Sequence, residues 1–540
     1  MGQTTFMLMF ITIISKIFGF VREAVMASYI GAEELKSIYT TANTLPVVVA
    51  NFVAVGIISG FIPIYNRAKN EEGIEEAERL TSNIFNILLV FGTVAIIIGI
   101  VFARPFSKIF SPGLDGKWLD LATNYTRIMM FAVYAYLYSA VFRGYLNIKG
   151  DFLNPAITGI IMNVIIIIFT VITGKTGNPY YLIIGALLGN VLQYILFPKA
   201  TRKSGYRHQR VIDLSNKYVR QLMIVAIPVI ISSAAGEISI IVDNAMASAY
   251  FGKASVAKLF YAKTMLTLIT GVITVSVTTA LFPKIAELGQ AKRFKQMKAS
   301  ISSAVVSTMV LVIPATIGMM VLAEPIIELV FQRNAFKPQD TIIVAGLLTA
   351  YAPFVIFQSL TDVVDRGFYS VGDSKTPVII VVIQQAINII MNIILIRIFG
   401  LKGLAYATVV STMIGSGLMI YKFRDNFGAF KFRTTLFSLF KILLATLVMA
   451  AVAKSIYGLT AGNMPHVLAL FIAIILAALV YGFIIMCARI PEVMELINTI
   501  YHRFFGKRKA QKRINRDRPR EIQGQRRTAN KIRENERNRR

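Results

Sequence analysis

The chain has 540 residues, 55% hydrophobic and only 16% charged, with a mean hydropathy of +0.63 and a net charge of +29. A soluble domain carries about 25% charged residues, whereas here apolar runs of about 18 or more residues recur throughout, each able to cross a hydrocarbon core of about 30 Å. The composition excludes a soluble globular protein and, because the runs are continuous rather than alternating with period two, a β-barrel.

The first apolar segment, residues 5–30, has no small-residue cleavage site after a short core and reads as a retained transmembrane helix. It contains FGFVREAVMASYIGA (18–32), with Arg22 and Glu23 side by side and Lys16 just upstream. Further segments are expected at 38–66, 80–103, 121–147, 154–173, 180–198, 218–250, 256–286, 299–322, 340–369, 376–397, 402–422, 435–457 and 465–487, about fourteen in all. Trp118 precedes the fourth and suits an interfacial anchor. The lone Cys487 excludes an internal disulfide, and His208, His466 and His502 lie far apart, so no metal site is expected from them.

Positive charge orients the segments. The loops 198–217, 292–298 and 422–433 hold six, four and four Lys or Arg, and each follows an even-numbered segment. Residues 501–540 hold sixteen Lys or Arg against four Asp or Glu, without apolar periodicity. Even loops and both termini are therefore expected in the cytoplasm, with the tail disordered and lying near anionic lipid. Nucleic acid is not expected as a partner, since no aromatic residues interleave the charges for base stacking.

The chain also repeats. Met26–Pro63 and Met246–Pro283 begin MAS and end in proline at equal length, and RGYLNIKGDFLNP (143–155) is echoed by RGFYSVGDSKTP (366–377), each at an offset of about 220 residues. The offset spans six segments, an even number, so the repeats are parallel with a cavity expected between them. The expected fold is an all-α polytopic membrane protein. It comprises an N-terminal six-helix bundle (1–198), a second bundle repeating it (199–423), two additional helices (424–490) and a basic cytoplasmic tail (491–540). Two such bundles suit a transporter working by alternating access. No filter motif, Walker motif or nucleophile–base pair stands out, so an enzyme is not expected.

Charge within a bilayer marks candidate sites. Lys16 and Glu23 are seven residues apart and share a helix face, with Arg22 about 120° from Lys16. Lys16 and Arg22 are expected to face the cavity, with Glu23 a structural or gating partner; the competing reading pairs Lys16 with Glu23 and lets Arg22 snorkel outward. Asp243, Asn388, Asn392 and Thr408 offer oxygen ligands without nitrogen or sulfur, which suits a hard cation; interhelical hydrogen bonding is the alternative. Asp362 and Arg366 stand at i,i+4, and a structural role is expected for them and for Arg143.

Five stretches carry a resemblance: SKIFGFVREAVMASYIGA (15–32), LPVVVANFVAVGIISGFIP (45–63), GYLNIKGDFLNPAITGIIMNV (144–164), FQRNAFKPQDT (331–341) and FYSVGDSKTPV (368–378). In order over roughly residues 5–490, the sequence resembles the MurJ/MviN family of lipid II flippases, in the multidrug/oligosaccharidyl-lipid/polysaccharide exporter superfamily. The resemblance implies flipping of an undecaprenyl-pyrophosphate-linked peptidoglycan precursor across a bacterial cytoplasmic membrane, driven by an ion gradient or the membrane potential. It implies substrate-binding roles for Lys16 and Arg22, with Glu23 beside them. Relatives often carry arginine in the second helix, where this chain has Ala50 and Asn51, and an acid–arginine pair in the eighth, where it has Lys263 and Thr264. Asn51 and Lys263 are the substrate-binding candidates in those helices, and Lys263 has snorkelling to the outer interface as its alternative. Positions similar to Asp243, Asn388, Asn392 and Thr408 form a sodium site in members of the family, with an acid often at the Asn392 position, so Na+ is the implied coupling ion. The thinned cationic pocket leaves open another polyprenyl-linked glycan or an amphipathic drug as cargo, and a scaffold recruiting cell-wall synthesis proteins through the tail is a further alternative.

Overall fold

The structure, a computed structural model, describes residues 2–428, 432–491, 493 and 494. The basic tail from 495 onward lies outside the described residues, and among the described residues every regular element is a helix. Among the described residues eleven stretches are long and apolar enough to cross a membrane by length and composition, consistent with the fourteen segments expected once α1 and two interrupted helices are considered with them.

The first group comprises α1 (Gly2–Ile30), α2 (Glu34–Glu72), α3 (Ile74–Val101), α4 (Ala103–Phe110), α5 (Gly116–Met129), α6 (Ala132–Ile148), α7 (Leu153–Thr176), α8 (Tyr180–Leu192) and α9 (Phe197–Lys203). The second comprises α10 (Lys217–Phe251), α11 (Ser255–Ile269), a π-helical turn (Thr270–Thr274), α12 (Val275–Gln290), α13 (Phe294–Val321), α14 (Ala323–Phe331), α15 (Pro338–Tyr351), α16 (Pro353–Ser370), α17 (Lys375–Phe399) and α18 (Lys402–Phe427). The last two helices, α19 (Phe432–Thr460) and α20 (His466–Cys487), pack together, with α19 against α13.

Hydropathy locates these helices but not their breaks. The fourth segment divides between α5 and α6, and the tenth divides at Ala352, where Pro353 has no amide hydrogen to continue the ladder. The eighth is interrupted by the π turn. Pro46 and Pro63, by contrast, lie inside the 39-residue α2.

The two groups meet along α2 and α10. A Cβ at Gly56 would stand 2.8 Å from the Ala226 methyl, and one at Gly60 would stand 2.5 Å from Leu222, so glycine sets the approach of these helices. On the opposite side α1 packs along α7, and its C-terminal turn crosses to the second group. There Ala27 and Ala32 join the core built on Tyr261, Phe331 and Phe336. Gly31, in the turn after α1, has φ +74°, and a Cβ there would lie 2.7 Å from the Ala335 carbonyl oxygen. Both the left-handed backbone and the close approach demand glycine.

Gly31→Ala is therefore expected to destabilise the fold by about 1 kcal/mol or more, read as a lower thermal midpoint of the detergent-purified protein. Gly462→Ala, at a position where a Cβ meets nothing within 4 Å, serves as the neutral control.

Candidate functional site

Three charges on α1 and one on α2 build the centre. Adjacent residues do not ordinarily share a helix face, but the long Arg22 side chain folds back so that Nε and Nη2 donate to Glu23 Oε1 at 3.0 and 2.6 Å. Glu23 Oε2 accepts from Lys36 Nζ at 2.8 Å. Lys36 is 0% exposed. Its ammonium also lies 4.2 Å from the Phe260 ring centroid and 5.2 Å from that of Tyr261, both contributed by the second group. Glu23 thus anchors two cations, and one of them is sealed beneath aromatic rings from the other group.

The alternative pairing of Lys16 with Glu23 is not formed. Lys16 Nζ instead donates to the Gly271 carbonyl at 2.8 Å. A π turn disrupts the regular i→i−4 ladder and is frequent at functional sites, and Gly271 lies in that turn. A Cβ at Gly271 would stand 2.5 Å from the lysine nitrogen, so both helix type and residue type make room for the contact.

Between α1 and α11 with its π turn lies a cavity of about 480 Å³, lined by Lys16, Arg22, Phe260, Thr264, Thr267 and Thr270, among others. Two cations (Lys16 and Arg22) against one carboxylate (Glu23) leave a net charge of +1 on its lining, with Lys36 buried behind Glu23. Such a site suits an anion with several acceptor oxygens, since Arg and Lys supply only donors. Asn51 is elsewhere: its Nδ2 donates to Glu237 Oε1 at 2.8 Å, tying α2 to α10, beside a pocket of about 130 Å³.

The second polar cluster does come together. Asp243 of α10, Asn388 and Asn392 of α17, and Thr408 of α18 are joined by Lys263 of α11. Asp243 Oδ2 accepts from Lys263 Nζ at 2.8 Å, and Oδ1 accepts from Asn392 Nδ2 at 2.8 Å. Asn388 Oδ1 accepts from Ser239 Oγ at 2.7 Å, while Asn388 Nδ2 donates to Thr408 Oγ1 at 3.3 Å. Lys263 therefore neither lines the Lys16 cavity nor snorkels away; it serves Asp243. The oxygens do not fit a free sodium ion in this arrangement, because a hard cation needs several oxygens converging on one point and nearly all of these already hold a donor. Among the described residues no three His, Cys, Asp or Glu side chains gather as metal ligands. Asp362 accepts from Gln358 Nε2 at 2.8 Å, and Arg366 lies 5.3 Å from the Phe282 ring centroid, so the Asp362–Arg366 ion pair is not formed, and Asp365 Oδ1 and Arg366 Nε are buried without a hydrogen-bond partner among the described residues.

At the α1–α2 end the groups clasp one another at the repeated MAS motif. Ser28 Oγ accepts from Asn334 Nδ2 at 2.8 Å and its carbonyl from Ala335 N at 3.1 Å. Its repeat counterpart, Ser248, accepts through Oγ from Gly113 N at 3.0 Å. Each serine is thus held by a loop of the opposite group. An ion pair accompanies each contact: Lys337 with Glu33 at 3.0 Å, and Lys253 with Asp115. The Lys253 ammonium, hydrogen-bonded to Asp115, holds that carboxyl below the usual range. A lowered carboxyl stabilises the clasp above the ordinary carboxylate pKa, and the contribution is lost as pH falls through the lowered value.

Two members of these sites escape a reading of the sequence. Lys36 sits in EELKS, which looks like a solvated helix start, and only the fold brings Phe260 over it. Glu237 stands alone in SSAAGEISII; an intramembrane acid is a signal in itself, though nothing in the pattern names Asn51 as its partner.

The family profile for "Lipid II flippase MurJ" matches residues 26–477. Proteins named probable lipid II flippase MurJ are similar over most of their length. That of Bdellovibrio bacteriovorus is 25% identical over 494 residues, covering 89% of this chain and 94% of the relative. That of Buchnera aphidicola subsp. Baizongia pistaciae is 28% identical over 452 residues, covering 81% and 86%. A solved structure described as lipid II flippase MurJ in an inward closed conformation superposes with a TM-score of 0.77 at 25% identity, covering 92% of this chain and 99% of that one. An inward-facing multidrug resistance MATE family transporter of the MOP superfamily shares the fold, with a TM-score of 0.64 at 16% identity over 77% of this chain and 95% of that one.

Removing the central carboxylate tests the triad. Glu23→Gln leaves Lys36 buried without its counter-ion and is expected to cost about 3–5 kcal/mol, measured as a drop in thermal midpoint. Adding Lys36→Met removes the stranded charge and is expected to recover most of the loss.

Proposed function

The chain belongs to the lipid II flippase MurJ family, and on that premise we propose that it carries lipid II from the inner to the outer leaflet of a bacterial cytoplasmic membrane. It is a transporter, not an enzyme. The observation that carries the reading is the intramembrane cavity bounded by Lys16 and Arg22, with a net charge of +1 on its lining. A pyrophosphate-linked headgroup is anionic and polar, and in low dielectric a fixed cationic site offsets the loss of its hydration. Arg22, already held in place by Glu23, offers its remaining N–H groups; Lys16 exchanges the Gly271 carbonyl for a phosphate oxygen.

The polyprenyl tail stays in an apolar environment. An apolar groove of about 960 Å³ between α13, α16 and α19, lined by Ile313, Ile356, Phe437, Phe440 and Leu443, supports a path along the additional helices. With basic loops in the cytoplasm, the clasp of Ser28 and Ser248 closes the outer side, and the α2–α10 seam serves as the pivot about which the two groups rock. Drive from an ion gradient or the membrane potential completes the cycle.

Expression of this chain in a bacterium depleted of its lipid II flippase is expected to restore growth and lipid II flipping. Arg22→Ala is expected to abolish rescue at normal membrane levels; failure of well-expressed wild type would overturn the reading. A second test joins Ser28→Cys to Asn334→Cys in a Cys487→Ser background with a short thiol crosslinker. Crosslinking is expected to stop flipping and cleavage of the link to restore it; unchanged flipping with complete crosslinking would show that this end does not open.

A further inference from the structure

We propose that the Lys263 ammonium is itself the cation of the α10–α17 polar cluster, a tethered ion standing where a free alkali-metal ion would otherwise be held, and that this chain binds no sodium there. The argument begins with Asp243. Its carboxylate is 4% exposed on a membrane helix, where an unpaired charge is costly. One positive charge neutralises it, and Lys263 Nζ at 2.8 Å supplies that charge. A sodium ion added beside the ammonium would leave a net positive charge in a low-dielectric site; a sodium ion admitted alone must first displace the lysine.

The neutral ligands point the same way. Asn392 turns its amide nitrogen, not its oxygen, to the carboxylate, and the same nitrogen lies 3.3 Å from Asn388 Oδ1. Ser239 donates to that Asn388 oxygen, and Asn388 donates to Thr408. Donors have been turned inward wherever a metal would want oxygens. Asn392 Oδ1 is the one buried oxygen of this cluster without a partner, and a single free oxygen does not make a sodium shell.

The lysine enters from the accessible side. Its side chain is 34% exposed against 4% for Asp243, and its ammonium lies 5.2 Å from the Tyr351 ring centroid, a second favourable contact for a cation. Lys263 therefore covers the approach by which an ion would reach the carboxylate. The sequence is consistent at both ends of the exchange: an amide at Asn392 lowers the anionic charge to one, and a lysine on α11 matches it. Because the tether cannot leave, the cluster also fixes α11 to α10, and sodium concentration has no purchase on that link.

The test reads ion binding, so it is independent of whether lipid II is the cargo. Purified full-length protein in detergent is unfolded thermally in sodium chloride and in choline chloride of equal ionic strength. Wild type is expected to show the same midpoint in both. Lys263→Met empties the seat and is expected to gain a sodium-dependent rise in midpoint that grows with the logarithm of sodium concentration; Lys263→Met with Asp243→Asn is expected to lose it. A sodium-dependent rise in wild type that Asp243→Asn removes would overturn the proposal. A folded Lys263→Met protein indifferent to sodium would overturn it equally, since the lysine would then stand in for no ion. Should Lys263→Met not fold, Lys263→Gln takes its place. Equilibrium dialysis of wild type with radioactive sodium provides a separate measurement: no saturable binding is expected, and saturable binding lost in Asp243→Asn overturns the assignment.

Discussion

Everything at the centre of this molecule depends on one carboxylate. Glu23 sits where hydrocarbon would surround it, and such a charge persists only if it is paired and hydrogen-bonded. Both of its oxygens are used, one by Arg22 and one by Lys36. The first contact fixes a guanidinium at the wall of a cavity. The second pulls the start of α2 beneath Phe260 and so commits the first helical group to the second. A single anion thereby organises two cations, and Arg22 stands already placed at the cavity wall. Pre-organisation of this kind means that the ordering of Arg22 is complete before binding.

The same electrostatic constraint acts twice more in the membrane, with different outcomes. Asp243 is answered by Lys263, and Glu237 by the amide of Asn51. Each of these links spans helices rather than turns of one helix, so each charge also sets a helix position. Between them the molecule has a seam of close glycine packing along α2 and α10 and a more polar junction at the α1–α2 turn. A tight apolar seam and a junction of exposed ion pairs are unequal in strength, since surface pairs contribute roughly 0–1 kcal/mol each.

Much of this was legible from residue order alone. Long apolar runs define helices because only a fully hydrogen-bonded backbone survives in lipid, and the echo of MAS and of RGY against RGF exposes the duplication. Lys16 and Arg22 stand out for the same reason, as charges where charge is expensive. The pairings were not legible. Spacing along one helix suggested Lys16 with Glu23, but Lys36 comes from the next helix and is held by rings more than 200 residues away. The π turn at Thr270–Thr274, which holds the Gly271 carbonyl that accepts from Lys16, leaves no mark in hydropathy. Asp243, Asn388, Asn392 and Thr408 read as one oxygen cluster, yet their orientation depends on Lys263, which belongs to a different stretch and was assigned to a different task.

The clasp at the α1–α2 end has an arrangement of sign that carries its own consequence. The first group contributes acids at both of its positions, Glu33 and Asp115, and the second contributes lysines at both, Lys337 and Lys253. The two groups carry echoed segments at an offset of about 220 residues, and like turns and loops could in principle have met in two like copies. As the charges stand, two first groups facing each other would set Glu33 against Asp115, and two second groups would set lysine against lysine. Repulsion of this kind discriminates more effectively than the attraction it accompanies. The two groups are thus not interchangeable at this end: charge favours a first group meeting a second and disfavours two like groups meeting.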